Sequence, residues 1–314
     1  MLVPNVQDKT SELLVNHSSA FHVTFISTSV LHSFFTVTAV VGNLLVLIAI
    51  LKKLSLTEPS YALLVCLAIS DLGVGLICHP LYVIWKLNWL INGLSDKYYQ
   101  IRFYLSFIST YFASVSLLTV TAVSCERFLA LHYHLRYKSM VTPKKLLSAV
   151  LFPWIFSALL NIFDYFFPDV NFYAQGLFIP LCLLTTSFAY IRIYFILRRH
   201  HNQIKCQATA MSQGNDQHST KQEEFDLQSF RKSVTGMLLI YALQLVCYLP
   251  HLVVEIFYKR QYTLGVGIVR NITITGVYIN SSLNPIIYCC RLSVVRQAIK
   301  QILGFKNVRQ NPEH

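Results

Sequence analysis

Charge is scarce in this chain: Asp, Glu, Lys and Arg make up 13% of its 314 residues, against 54% hydrophobic residues. That balance excludes an ordinary soluble domain. The first twenty residues lack the basic-then-apolar pattern of a signal peptide and carry Asp8 and Glu12 instead, so the N-terminal tail is expected to be retained. There is no internal repeat, which counts against transporter architectures built from duplicated halves. No His-Glu-x-x-His, no Gly-x-Ser-x-Gly and no clustered His/Cys ligands occur within the apolar runs, so an enzyme is not expected.

What is present is a series of long apolar runs, at about 25–51, 61–85, 103–131, 146–163, 172–197, 234–258 and 266–290. Each meets or approaches the roughly 20 residues a helix needs to cross a ~30 Å hydrocarbon core. Barrel strands would be shorter and would alternate polar with apolar. The expected fold class is an all-α membrane protein, a seven-transmembrane helix bundle. After Cys290, Leu292, Val295, Ile299, Ile302 and Leu303 recur at helical spacing among Arg291, Arg296 and Lys300, which predicts a short amphipathic eighth helix on the membrane surface. Three regions follow: a tail over 1–24, a membrane domain over 25–290 with a polar loop at 198–231, and the amphipathic helix with its tail over 291–314.

Counted alternately on the two sides of the membrane, nineteen of the 26 Lys and Arg residues fall on one side and seven, Lys86 among them, on the other. The richer side is expected to be cytoplasmic. The sequon Asn16-His17-Ser18 falls on the opposite side, where glycosylation occurs, so the plasma-membrane reading has an outer N-terminus and an inner C-terminus. The net charge of +12 then reads as a topology signal and a contact with anionic membrane lipids, with no nucleic-acid partner. None of the eight cysteines falls in an outer loop, so no extracellular disulfide is expected; Cys289 and Cys290 are either palmitoylated or simply buried.

Polar groups within lipid are costly and therefore informative. Asn43, Asp71, Ser116, Asn280, Ser281 and Asn284 sit at mid-span depth, and Glu126-Arg127 closes the basic end of span three. They are either interhelical hydrogen-bond partners or a functional polar core. Their contexts run in order: Gly42-Asn43, Leu67-Ala68-Ile69-Ser70-Asp71-Leu72, Glu126-Arg127-Phe128, Trp154, Cys247-Tyr248-Leu249-Pro250 and Asn284-Pro285-Ile286-Ile287-Tyr288. This series resembles the rhodopsin-like (class A) family of G-protein-coupled receptors across nearly the whole chain.

The resemblance implies a receptor in which an extracellular ligand biases a helix bundle toward an open cytoplasmic face that activates a heterotrimeric G protein. It implies that Arg127 is a charged hinge restrained by Glu126, that Tyr288 swings inward on activation with Asn284-Pro285 deforming, that Tyr248 and Pro250 form the span-six switch, and that Leu135 is an apolar plug for the G protein. Basic residues near Arg198, Arg231 and Lys232 would line the same face. It also implies an allosteric sodium ion held by Asp71, Ser116, Asn280 and Ser281. The alternative reading is an ion channel or transporter conducting through the Asp71 core.

Several positions depart from the family. Arg102 stands where most members carry the cysteine bonded to the second outer loop, a loss shared with melanocortin, cannabinoid and sphingolipid receptors. Tyr248 replaces the usual tryptophan, Gln244 a phenylalanine, His134 a proline, and Phe230 the acidic partner of the span-three arginine, which predicts elevated basal signalling. Pro180 and Tyr190 are ten apart where the family spacing is eight, leaving open whether Phe188 or Tyr190 serves as the span-five switch residue. Tyr278 at the opsin lysine position and Ser109 at the amine-binding aspartate position argue against retinal and aminergic ligands. The ligand remains unidentified, in a pocket expected to be lined by Tyr82, Ser109, Tyr111, Phe112, His251, Glu255, Tyr258 and Tyr278. Glu255 and His251 are four apart and pair with each other, with Arg270 or with a cationic ligand.

Overall fold

The computed structural model describes residues 19–53, 58–93, 95–133, 136–210, 217–260, 263–291 and 293–304. Eight long or medium helices account for nearly all of these: α1 (Ser19–Lys53), α2 (Pro59–Asn92), α3 (Asp96–Tyr133), α4 (Pro143–Phe166), α5 (Pro168–Ala210), α6 (Gln217–Arg260), α7 (Leu264–Arg291) and α8 (Ser293–Ile302). A helical turn at Tyr137–Met140 lies between α3 and α4. Helices satisfy their own backbone groups, which is why long apolar runs adopt them in lipid.

Local chemistry sets the boundaries. Pro59 and Pro143 sit in first turns, where a missing N–H costs nothing, and the Thr142 hydroxyl accepts from the Lys145 backbone N–H at 3.4 Å. Gly93 ends α2 at φ 62°, a conformation other residues rarely adopt. Inside α2 a single π turn covers Val74–Cys78, just before Pro80. The proline ring would otherwise clash with the Leu76 carbonyl. One inserted residue also rotates everything after it by about 100°.

The helices close a ring: α1 packs on α2, α2 on α3, α3 on α4 and α5, α5 on α6, α6 on α7 and α7 on α1. Six of them are long and apolar enough to cross a membrane. The sixth by this measure is α6, and α7 falls short because Asn271, Thr273, Thr275, Asn280, Ser281, Ser282 and Asn284 dilute its apolar content. Its 28 residues nonetheless match the others in reach, and it is wedged between α1 and α6.

Lipid-facing and inward faces separate by helical period. On α1, Val23, Ile26, Val30, Phe34, Val37, Val41 and Leu44 are exposed, while Phe25, His32, Ala39, Asn43 and Val46 are buried. The interior has two apolar clusters. One surrounds Val46, Leu63, Leu67, Ile193, Met237, Tyr248 and Tyr288; the other surrounds Phe25, Val74, Tyr82, Trp85, Trp89 and Tyr278. Asn43, Asp71 and Asn280 to Asn284 fall between them along α1, α2 and α7.

Four sequence expectations change. Helix α1 already starts at Ser19, within the segment read as tail, because Phe21 and Phe25 bury against Trp89 and Trp85. The link expected over 164–171 shrinks to Phe167 between α4 and α5. The polar loop at 198–231 is largely helix, since α5 runs to Ala210 and α6 resumes at Gln217; Lys, Gln, Glu and Ala there are good helix formers. Lys86, counted as an outer-loop lysine, lies inside α2, which continues past the first charge to Asn92. Helix α8 lies against α1 and α7 with Val295, Ala298 and Ile299 buried and Arg296, Gln297 and Lys300 exposed.

Candidate functional site

The Arg127 end of the bundle is organised around Glu126. Its Oε2 accepts from the Ser60 hydroxyl on α2 at 2.8 Å, and its Oε1 accepts from the Tyr137 hydroxyl at 2.7 Å. Burial, and then the Glu126 carboxylate, push the Tyr137 hydroxyl above its ordinary range, so it remains a donor at neutral pH. Arg127 gains little from this: its Nε lies 3.4 Å from Glu126 Oε2 and forms no hydrogen bond among the described residues. Leu135 and His134 lie outside the described residues, as do the side chains of Phe230, Arg231 and Lys232.

Tyr190 answers the span-five ambiguity in placement. It is buried and stacks on Tyr241 of α6 at 5.6 Å, whereas Phe188 is 59% exposed on the lipid-facing side. Two residues of spacing turn a helix by about 200°, so only one of the pair can face inward. Tyr288 is wholly buried, and its hydroxyl has no hydrogen-bond partner among the described residues. Pro285 packs against Gly42, where a Cβ would stand 2.9 Å from Pro285 Cβ. Tyr248 crosses from α6 to donate to the Ala113 carbonyl of α3 at 3.3 Å, and Pro250 sits inside α6 two residues on.

In the middle of the bundle, Asn284 donates to Asp71 Oδ2 at 2.8 Å, tying α7 to α2. Asn43 donates to the Ser281 carbonyl at 3.1 Å, tying α7 to α1. Asp71 Oδ1, Ser116 Oγ, Asn280 Oδ1, Asn43 Oδ1 and Asn284 Oδ1 are buried without a hydrogen-bond partner among the described residues. Oxygens of this kind, one of them on a carboxyl group, are the donor type that a hard cation takes.

The eight residues expected to line one pocket make overlapping contacts, with Phe112 packed against the cluster that holds Tyr82 and Tyr278. Tyr82 and Tyr278 belong to the α1–α2–α7 cluster, with Tyr82 donating to Asn271 Oδ1 at 3.0 Å. Tyr111 packs on Trp154 at 6.1 Å, Phe112 packs over Gly73, and Ser109 donates to the Ser106 carbonyl at 3.1 Å. His251, Glu255 and Tyr258 meet Arg270 where α6 and α7 join: Arg270 Nε donates to Glu255 Oε1 at 2.6 Å, His251 Nε2 is 3.8 Å from the same oxygen, and the Arg270 guanidinium lies 4.5 Å over the Tyr258 ring. The lone acid of the expected pocket is thus engaged by Arg270.

Sequence reasoning missed Ser60 and Tyr137, and it missed a basic cluster at the Tyr82 end. Lys86 is 0% exposed, as are His32 and His79. The two imidazoles meet Nδ1 to Nδ1 at 2.8 Å, so one donates and the other accepts. Burying an ammonium costs several kcal/mol, and each ring face returns about 2 kcal/mol when desolvated. The spacing of His79, Tyr82 and Lys86, three and then four apart, is the signal that puts all three on one helical face.

A profile of the 7 transmembrane receptor (rhodopsin family) matches residues 42–176. Neuromedin-U receptor 2 of Mus musculus is 27% identical over 91% of this chain and 77% of its own length. Galanin receptor 2a of Danio rerio is 26% identical over 95% and 84%, and the alpha-1A adrenergic receptor of Oryzias latipes is 22% identical over 88% and 67%. These relatives give no support to the channel reading. A ring of membrane-length helices, a Glu-Arg pair closing α3 and a buried Asn-Pro on α7 meet in one chain, a multi-pass G-protein-coupled receptor similar to the rhodopsin family.

Proposed function

We propose that the receptor is oriented with its Tyr82 end outside and its Arg127 end in the cytoplasm, and that it signals appreciably without ligand. The charge ledger supports the orientation. The observation that carries the second part is the weak hold on Arg127: Glu126 spends its carboxylate on Ser60 and Tyr137, leaving the guanidinium 3.4 Å away. Among the described residues Glu126 is the ion-pair partner of Arg127, and an arginine held by a single partner needs less free energy to release.

Activation then runs through α6. A ligand engaging the α3–α6–α7 mouth competes with the Glu255–Arg270 pair and shifts α6 about Pro250, breaking the Tyr248 bond to the Ala113 carbonyl. Tyr288 and Tyr190 supply hydroxyls that steady the freed Arg127, while Leu135 and the basic residues Arg198, Arg231 and Lys232 meet the G protein. The relatives' names point in different chemical directions, and none is carried to this ligand. Nucleotide exchange on a panel of Gα subunits in membranes tests the reading. Exchange above mock membranes is expected without ligand and is expected to vanish in Arg127→Ala; no response from any Gα would sink it.

Asp71, Ser116, Asn280 and Ser281 would hold sodium, with the orphaned oxygens of Asn43 and Asn284 beside them. The ion supplies the counter-charge of a buried carboxylate and ties α2 to α7 in the inactive arrangement. Replacing sodium with choline is expected to lower the melting temperature of the wild type and to leave Asp71→Asn unmoved. Equal responses in the two proteins would remove the ion from the scheme.

A further inference from the structure

Among the lysines whose side chains are described, Lys86 alone is wholly buried. Its ammonium donates to the Thr28 hydroxyl of α1 and stands 4.3 Å from the Tyr82 ring centroid and 4.6 Å from that of Phe25. An ammonium has three N–H groups, and the hydroxyl takes one. Ring faces attract a cation but accept no directed hydrogen bond of comparable strength. Among the described residues the ion pairs are Arg127–Glu126, His251–Glu255 and Arg270–Glu255, and none involves Lys86.

The surroundings repeat the imbalance. His32 stacks on Tyr82 at 3.9 Å and meets His79, so three basic side chains share the Tyr82 end with no acid ion-paired among them. Two further buried polar atoms there form no hydrogen bond among the described residues, His79 Nε2 and the indole N–H of Trp85. Trp85 packs on both rings that cover the ammonium, 5.5 Å from Tyr82 and 5.7 Å from Phe25. What the cluster lacks among the described residues is an anion.

We propose that this cluster between α1, α2 and α7 is a binding site for a monocarboxylic acid carried on an apolar or aromatic body, with Lys86 as its counter-charge. A single ammonium and one indole N–H match the two oxygens of a carboxylate. A phosphate group, with more charge and more acceptors, calls for several cations or the fork of an arginine. The rings of Phe21, Phe25, Trp85, Trp89 and Tyr98 suit the apolar body. An acid reaching Lys86 takes the place of the Thr28 hydroxyl bond and lifts the Phe25 and Trp85 cover, which couples the site to the packing of α1 against α2 and α7. The site would be one through which an extracellular ligand acts on the receptor proposed above.

The test uses the full chain, purified and reconstituted, with a panel of monocarboxylates from acetate through 3-phenylpropionate to dodecanoate and the matching amides as uncharged controls. Binding is read as the shift in melting temperature, which does not depend on a G protein; nucleotide exchange is read separately. At least one acid is expected to raise the melting temperature where its amide does not. Its apparent affinity is expected to fall about tenfold or more in Lys86→Met and severalfold in Trp85→Phe, which keeps the ring and removes the donor. Should Lys86→Met not fold, Trp85→Phe and Lys86→Arg carry the comparison. Equal shifts from acid and amide, equal affinity in wild type and variants, or no shift from any acid would overturn the site. A shift without nucleotide exchange would uphold it while removing the signalling role proposed above.

Discussion

At the scale of single residues, the balance of the cytoplasmic end turns on which groups Glu126 is shared among. A hydrogen bond to a charged group contributes about 1.5–3 kcal/mol, and Ser60 and Tyr137 each make one. Losing either leaves the carboxylate freer to grip Arg127. Tyr137→Phe and Ser60→Ala are therefore expected to lower ligand-free nucleotide exchange severalfold, which a GTPγS binding assay reads directly; a rise would mean that these bonds restrain the receptor instead. Arg127 and Glu126 were legible in the sequence from their context at the end of an apolar run. Ser60 and Tyr137 were not, because a serine and a tyrosine elsewhere in the chain carry no mark of the carboxylate they will meet.

At the scale of helices, close approach and rotational register decide what faces what. Gly42 lets α1 and α7 touch at Pro285, and a Cβ there has only 2.9 Å of room. Gly42→Val is expected to cost about 1–3 kcal/mol by overpacking, seen as a lower melting temperature and yield; unchanged stability would show that the α1–α7 contact yields easily. On α5 the sequence left two candidates, and the register brings Tyr190 inward against Tyr241 while turning Phe188 outward. Tyr190→Phe is expected to reduce basal exchange while Phe188→Ala leaves it near wild type. The reverse pattern would return the role to Phe188. In α2, the π turn at Val74–Cys78 rotates His79, Tyr82 and Lys86 into the bundle, a change that no count of apolar residues registers.

At the scale of the whole molecule, orientation and ring closure follow from different physics. Orientation rests on Lys and Arg distribution and on Asn16, which lies outside the described residues. If the N-terminus faces outward, the receptor made in cultured cells should lose apparent mass on treatment with an N-glycosidase, and Asn16→Gln should abolish that change. A wild-type protein insensitive to the enzyme, at full surface expression, would reverse the assignment or deny the sequon. Ring closure depends on α7, which is the least apolar span yet packs on both α1 and α6. Its asparagines and serines find partners on Asp71, Asn43 and the Phe35 carbonyl, so helix contacts supply what lipid could not.

Length and apolarity by themselves determined six of the spanning helices, because a bilayer of fixed thickness leaves a continuous apolar run few alternatives, whereas α7 owes its place to packing between α1 and α6. The ordered motifs by themselves determined the resemblance to the rhodopsin family. The tertiary structure alone decided that Glu255 is taken by Arg270 and that Lys86 lies inside with two imidazoles and, among the described residues, no ion-paired acid. These are matters of facing, and facing depends on helix rotation and on which neighbour lies opposite. A local pattern of residue types contains neither.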